Sequence, residues 1–400
     1  VTISTSTATF AEAMPNNIGV GDALQYGDPL KLAFITSRIS STTYGVQTWN
    51  GYYPETADAT TTAIYRAHLK LADWQSRTSN TAIDASLVGS VSGYGSDLDA
   101  SSTILKIACY GATSPDDAAV AISGWTTSTS SSITIFTPRA TTEVGTSQRH
   151  AGVWDDSKYR LVLSNDSIPL TISNGQVRVE GLQIALNDGS SNSRSAVYFN
   201  NSADTAPSYF THAIIKNNDL DNTDLAAIYI NDANAQTYIY NNLVYSFRGT
   251  SQFGIRANNG LAYVDNNTIS SSTVGVYQTG GTLTLRNNAI FNNTTDLSST
   301  GGSLTADHNA SDDSIGADSH WINISSDITN ETKGWNIAFT DYINYDFTVR
   351  NMFSPLYDSG VTLSTITSDI ISTRRPTYDA YDVGAYEFTN PRPAYRGEGK

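Results

Sequence analysis

Pairs of adjacent asparagines recur in one setting along this 400-residue chain. Asn217 and Asn218 lie in "AIIKNNDL", Asn241 and Asn242 in "YIYNNLVYS", Asn266 and Asn267 in "AYVDNNTI", Asn287 and Asn288 in "LTLRNNAI". A fifth copy, "LTADHNAS", keeps Asn309 and replaces its neighbour with His308. Counted on the second residue, the steps are 218 to 242 (24), 242 to 267 (25), 267 to 288 (21) and 288 to 309 (21). Two amides would be poor company for an apolar run unless something satisfies them in every copy. A period of this length marks units that bury their apolar faces only by stacking on their neighbours.

Short strands repeating at 21 to 25 residues leave two architectures. A leucine-rich repeat needs a leucine framework that is missing here. The other is an all-β chain wound as a right-handed parallel β-helix, a solenoid in which copies stack about 4.8 Å apart. Identical positions then lie above one another, and stacked Asn residues bond amide to amide as a ladder. One Asn of each pair turns the corner, because Asn tolerates the left-handed region. The other points inward, where an unpartnered amide would cost about 1–3 kcal/mol and a stacked one does not. The expected ladder comprises Asn217, Asn218, Asn241, Asn242, Asn266, Asn267, Asn287, Asn288 and Asn309, with Glu180 and Gly181 in the same slot earlier. His308 marks its end.

The chain divides into four stretches. Residues 1–155 form an N-terminal cap and irregular first turns. A short cap helix is expected in "TATFAEAM", with Phe10, Ala13 and Met14 on one face, and a helical insertion near 61–76, where Ile64, Ala67, His68, Leu71 and Trp74 fall at helical spacing. Strands are expected in "DALQYG", "LKLAFITSRI", "TILKIACYG", "AAVAIS" and "SSITIFTP", with a loop from 76 to 103. Residues 156–350 hold regular turns, 351–388 a closing segment, and 389–400 a polar, basic tail suited to docking on a neighbour.

The closing segment carries Ser354, Pro355, Asp358, Gly360, Arg375, Pro376, Asp382, Val383, Gly384, Ala385, Tyr386 and Glu387. This series resembles the end of bacterial extracellular right-handed parallel β-helix repeat proteins, of the pectate-lyase-like solenoid fold. The resemblance is specific over about 340–388, general over the repeats and weak before 155. It implies secretion and a solenoid, not one activity. "SDIISTRRP" departs from the family's usual Asp-x-x-Gly before Arg-Pro.

Charged residues make up only 15% of the chain and the net charge is −15, so nucleic acid is a poor partner, lacking any basic face. The chain starts at Val1 and has no apolar run near the length of a membrane span, which fits an extracellular or cell-surface protein whose signal peptide has been removed. The lone Cys109 is flanked by apolar residues and reads as buried.

Chemistry is sparse. Galacturonan hydrolases of this fold combine Asn-Thr-Asp, Asp-Asp, Gly-His-Gly and Arg-x-Lys. "NTD" occurs at Asn222–Asp224 and "DD" at Asp312 and Asp313, but the other two motifs are absent. Asp221 and Asp224 are the catalytic candidates. Asp219, Asp221 and Asp224 in "NNDLDNTD" are the candidates for a Ca2+ site, since calcium takes six to eight oxygens; a solvated turn explains the same residues. No other cofactor is expected. Arg248, Arg256 and Arg286 lie on neighbouring turns. The histidines, among them His68, His212, His308 and His320, do not fall at metal-ligand spacing. Twenty-three tyrosines suit either strands or a saccharide groove. Three functions follow: an extracellular structural protein self-assembling head-to-tail into filaments, a carbohydrate-binding adhesin or tailspike-like module, or a polysaccharide lyase or glycoside hydrolase. The partners are accordingly other copies of the chain or a polysaccharide.

Overall fold

The structure, a computed structural model, describes residues 1–60, 62–187, 194–201, 205–218, 224–313, 318–327 and 332–389. These residues are almost entirely β. An N-terminal antiparallel sheet has seven strands, in the order Ala57–Asp58, Thr2–Ser4, Thr7–Thr9, Thr43–Gln47, Lys31–Arg38, Asp22–Tyr26 and Thr62–Arg66.

The expected cap helix is absent, and the expected helical insertion is present only in its second half. Thr7–Thr9 is a strand, with Ala8 fully buried, and the chain from Phe10 to Met14 is bonded across to Thr42 and Ser41 rather than to itself. So short a segment gains too few internal bonds to nucleate a helix, and a ready strand edge outcompetes it. In the second case Thr62–Arg66 pairs antiparallel with Asp22–Tyr26, as its β-branched and aromatic residues favour. Only Leu71–Ser76 is helical, ending at Arg77 in the left-handed region. Its Leu71 and Trp74 are buried in the main core, and Trp74 stacks on Trp125 at 5.6 Å. The helix therefore plugs the end of that core.

Parallel pairing begins at Ile104–Ala108, within the stretch expected to be irregular. The strands expected around 104, 120 and 132 are present, and Cys109 is buried. From there the chain alternates between a 13-stranded and an 8-stranded sheet. Each strand pairs in parallel with the one a repeat earlier. The larger sheet holds two lines of strands, and Leu225–Tyr240 and Gln252–Asp265 run through both. The smaller sheet runs from Arg160–Leu163 through Gln183–Leu186, Ile214–Asn217, Leu243–Tyr245, Thr268–Ser270, Ala289–Phe291 and Ala310–Ser311 to Ile322–Asn323.

Inward side chains such as Ile135, Val179, Phe210, Ile239, Val264 and Leu285 have no exposed surface and form one core from Leu71 to Ala306. Each such burial contributes about 1.5–3 kcal/mol. The smaller sheet is covered on its second face too. Ile214, Leu243, Ala289 and Phe291 meet Trp335, Phe339 and Phe347, and Val383 from the closing segment, with Phe291 4.1 Å from the Trp335 ring. Burial on both faces explains why Leu243–Tyr245 and Ala289–Phe291 read as unbroken apolar runs. Among the described residues no helix is long and apolar enough to cross a membrane.

Candidate functional site

The ladder is a property of the second residue of each pair. Asn242, Asn267, Asn288 and Asn309 have no exposed surface. The Nδ2 of each of the first three donates to the Oδ1 of the next, at 3.0, 3.0 and 2.9 Å. The same oxygens accept the backbone N–H of the preceding Asn, at 3.0, 2.9 and 2.9 Å. Each Nδ2 also donates to a strand carbonyl, of Phe210, Ile239, Val264 or Leu285. At one end the Ala213 N–H donates to Asn242 Oδ1 at 2.9 Å. At the other, Asp318 Oδ2 accepts from both the backbone N–H and the Nδ2 of Asn309, each at 2.9 Å. A carboxylate only accepts, so it closes the ladder without leaving an orphan donor.

The first residue of each pair turns the chain. Asn241, Asn266, Asn287 and His308 have φ of 56°, 52°, 55° and 55°. His212 and Gly181 hold the same left-handed corner in earlier repeats. The slot is thus Gly181–Leu182, one residue later than the Glu180–Gly181 expected. Asn217 and Asn218 do not belong to this corner. They stand at the far end of Ile214–Asn217, where Asn217 pairs with Leu186 and the Asn218 amide donates to Asn187 Oδ1 at 2.5 Å. The ladder position in their repeat is Ala213.

The closing segment grips this corner line. Asn241 donates to the Ser368 carbonyl at 2.6 Å and Asn266 to that of Asp382 at 3.1 Å. Asn287 exchanges two 2.8 Å bonds with the backbone of Val361. The motif residues organise the grip. Arg375 donates to Glu387 Oε1 at 2.6 Å and to the carbonyls of Asp382 and Gly384, and both charged side chains are almost wholly buried. Asp382 accepts the N–H of Asp358, and Asp358 that of Ala380. The Tyr386 hydroxyl donates to the Gly152 carbonyl at 2.7 Å. These residues build a clasp.

The larger sheet carries columns of half-buried aromatics. Arg178, Tyr209, Tyr238, Tyr263, Thr284 and Thr305 are in register. The Tyr238 ring stacks on Tyr209 at 5.0 Å and on Tyr263 at 4.8 Å. Arg178 lies over Tyr209, 5.2 Å from its centroid. In the next column Arg286 holds Asp265 through two bonds of 2.8 and 2.7 Å. Tyr198 and Tyr229 stack at 5.2 Å in the second line, followed in register by Arg256 and Tyr277. Tyr238 is stacked on both faces and so offers its ring edge and hydroxyl.

Arg256 is bonded to Asp224 at 2.8 Å, so this candidate carboxylate is already engaged by a guanidinium. Asp219, Asp221, Asn222 and Thr223 lie outside the described residues. Arg248 donates to Ser271 Oγ at 2.5 Å. Arg149 pairs with Glu180 at 2.9 Å. Burial pushes the Glu180 carboxyl up, but Arg149, His212 and Arg178 outweigh it and hold the group down at about 2.

Asp312 and Asp313 meet a group that sequence reasoning missed, the fully buried Asp296. Asp296 accepts from Ser311 Oγ at 2.5 Å, from Asn293 Nδ2 at 2.8 Å and from the N–H groups of Asp312 and Asp313. Burial, then a hydrogen bond and repulsion from Asp312, raise its carboxyl to about 8. Asp296 thus keeps its proton at neutral pH. Glycoside hydrolysis needs carboxyls about 5–5.5 or 6.5–9.5 Å apart around a sugar, and two acids in hydrogen-bond contact leave no such gap. No family model matches this sequence, and no curated protein matches it at a significant level.

Proposed function

We propose that the chain is an extracellular, right-handed parallel β-helix with a structural role, a short rod displayed at or beyond a cell surface. The observation that carries this reading is the internal use of its polar groups. The Asn ladder, the Tyr stacks, and the pairs Asp265–Arg286, Asp224–Arg256, Glu180–Arg149 and Glu387–Arg375 each satisfy one another. Such columns stiffen a stack of repeats and, among the described residues, commit these side chains to one another. Self-association is part of the proposal. The Leu71–Ser76 helix plugs one end of the core, whereas Leu297, Leu304 and Trp321 near the other end are only partly buried. The end that carries Ser303–Asp307 is accordingly the one proposed to take part in association. The tail at 390–400 lies outside the described residues.

The row of Tyr hydroxyls supports a second reading, binding of an extended glycan. The neighbouring arginines are already paired, which favours a neutral polymer over an acidic one. Incubation with neutral and acidic polysaccharides, read by negative-stain microscopy and by product release, separates the readings. Longer particles without products support the structural role. Release of oligosaccharides overturns it, and retention on a neutral glycan that is lost in Tyr238→Ala moves the assignment to glycan binding.

A further inference from the structure

His308 and His320 are twelve residues apart, a spacing that suggested no shared ligand. The fold brings them together at the end of the ladder. One carboxylate fixes both backbones: Asp318 Oδ1 accepts the N–H of His308 at 3.1 Å and that of His320 at 2.9 Å, while Oδ2 holds Asn309. The two imidazoles stack at 4.3 Å. Both Nδ1 atoms converge on one oxygen, Asp307 Oδ1, at 2.9 Å for His308 and 2.6 Å for His320. His320 hydrogen-bonds that oxygen, whereas the buried His308 Nδ1 has no hydrogen-bond partner. Ligand atoms of Asp307, His308 and His320 all lie within 4.8 Å of one another.

We propose that Asp307, His308 and His320 bind one divalent ion of the zinc type. Two imidazole nitrogens and a carboxylate match the borderline preference of Zn2+, Ni2+ or Co2+, and are too nitrogen-rich for Ca2+. Bonds of about 2.0–2.1 Å in a tetrahedral site put donors about 3.3 Å apart. The 2.9 and 2.6 Å approaches to Asp307 Oδ1 therefore widen on binding, within a set of ligand atoms that all lie within 4.8 Å of one another. A metal sits in the plane of each imidazole it binds, so the His320 ring turns out of the stack on binding. Its side chain is 61% exposed and free to do so. The proton on His320 Nδ1 moves through solvent to Nε2, leaving the Nδ1 lone pair for the metal. Water takes the remaining position on the exposed side. The ion ties the returning chain at 318–323 to the last full repeat, reinforcing what Asp318 begins.

The test is a zinc titration of the tag-free chain, stripped with chelator, against a chromophoric competitor. One equivalent is expected to bind. His320→Ala, at an exposed position that does not threaten folding, is expected to weaken binding by about tenfold or more, and His68→Ala to leave it unchanged. Zinc is also expected to raise the thermal midpoint of the wild type and not of His320→Ala. Binding without a defined stoichiometry, or equal affinity in His320→Ala, overturns the proposal.

Discussion

Asn267 shows how much a single side chain carries in this molecule. It accepts the backbone and side-chain N–H of Asn242 and donates to Asn288 Oδ1 and the Ile239 carbonyl. Asn267→Ala leaves buried groups on both neighbouring repeats without partners and is expected to cost about 2–5 kcal/mol in chemical denaturation. Asn267→Asp should cost at least as much at neutral pH, because a buried carboxylate cannot donate to Asn288; a loss under about 1 kcal/mol in either variant would contradict the ladder's weight. Asp296 supplies a pH signature. Its carboxyl is raised from 3.8 to about 8, so between those values the folded state holds a proton that the unfolded state has lost. Stability from this group is complete at acid pH and declines as pH rises through that window. Asp296→Asn is expected to flatten the fall in denaturation midpoint between pH 5 and pH 8, and an unchanged slope would refute the assignment. The inward amides were legible because the same dipeptide recurs after the same strand pattern. Asn217 and Asn218 carry the same letters, and only the pairing of Asn217 with Leu186 reveals that they sit at a different corner. Asp296 was not legible, since nothing local in "NTTDLSST" announces that Asp312 lies against it.

At the scale of elements, the closing segment acts as a clasp over the Asn corners and the outer face of the smaller sheet. Its centre is the buried Arg375–Glu387 pair. Removing one partner leaves an uncompensated buried charge, so Arg375→Ala is expected to cost about 3–5 kcal/mol. Limited proteolysis should then cut first within 351–388, while peptides from the ladder strands survive. Cleavage that starts in the ladder strands instead would show that the clasp is not a separate unit. The closing segment was recognisable from its spaced Asp, Gly, Arg and Pro residues, but not the surface it covers, because its partners lie about a hundred residues upstream. The helical expectation over 61–76 fails in its first half for a related reason. Apolar residues at helical spacing around Ile64 and Leu71 were real, yet Asp22–Tyr26 offered Thr62–Arg66 a strand edge, and tertiary pairing overrode the local period.

At the scale of the whole molecule, the two ends differ. The helix carrying Trp74 closes the core at one end, while partly buried Leu297, Leu304 and Trp321 mark the other. Between them, the column from Lys106 through Tyr238 to Thr305 crosses eight strands in register, which at about 4.8 Å per step spans about 34 Å. Repetition made the stacking readable from sequence, and helical spacing marked Leu71 and Trp74, but not that they bury against Trp125 in the repeat core, because that partner lies about fifty residues downstream. We propose that this stack is a rod that extends by association through the end that carries Ser303–Asp307. Small-angle X-ray scattering over a concentration series tests it most directly. The expected result is a cross-section that stays constant while the particle lengthens along its axis. A particle that thickens with concentration, or keeps one length throughout, would contradict the claim.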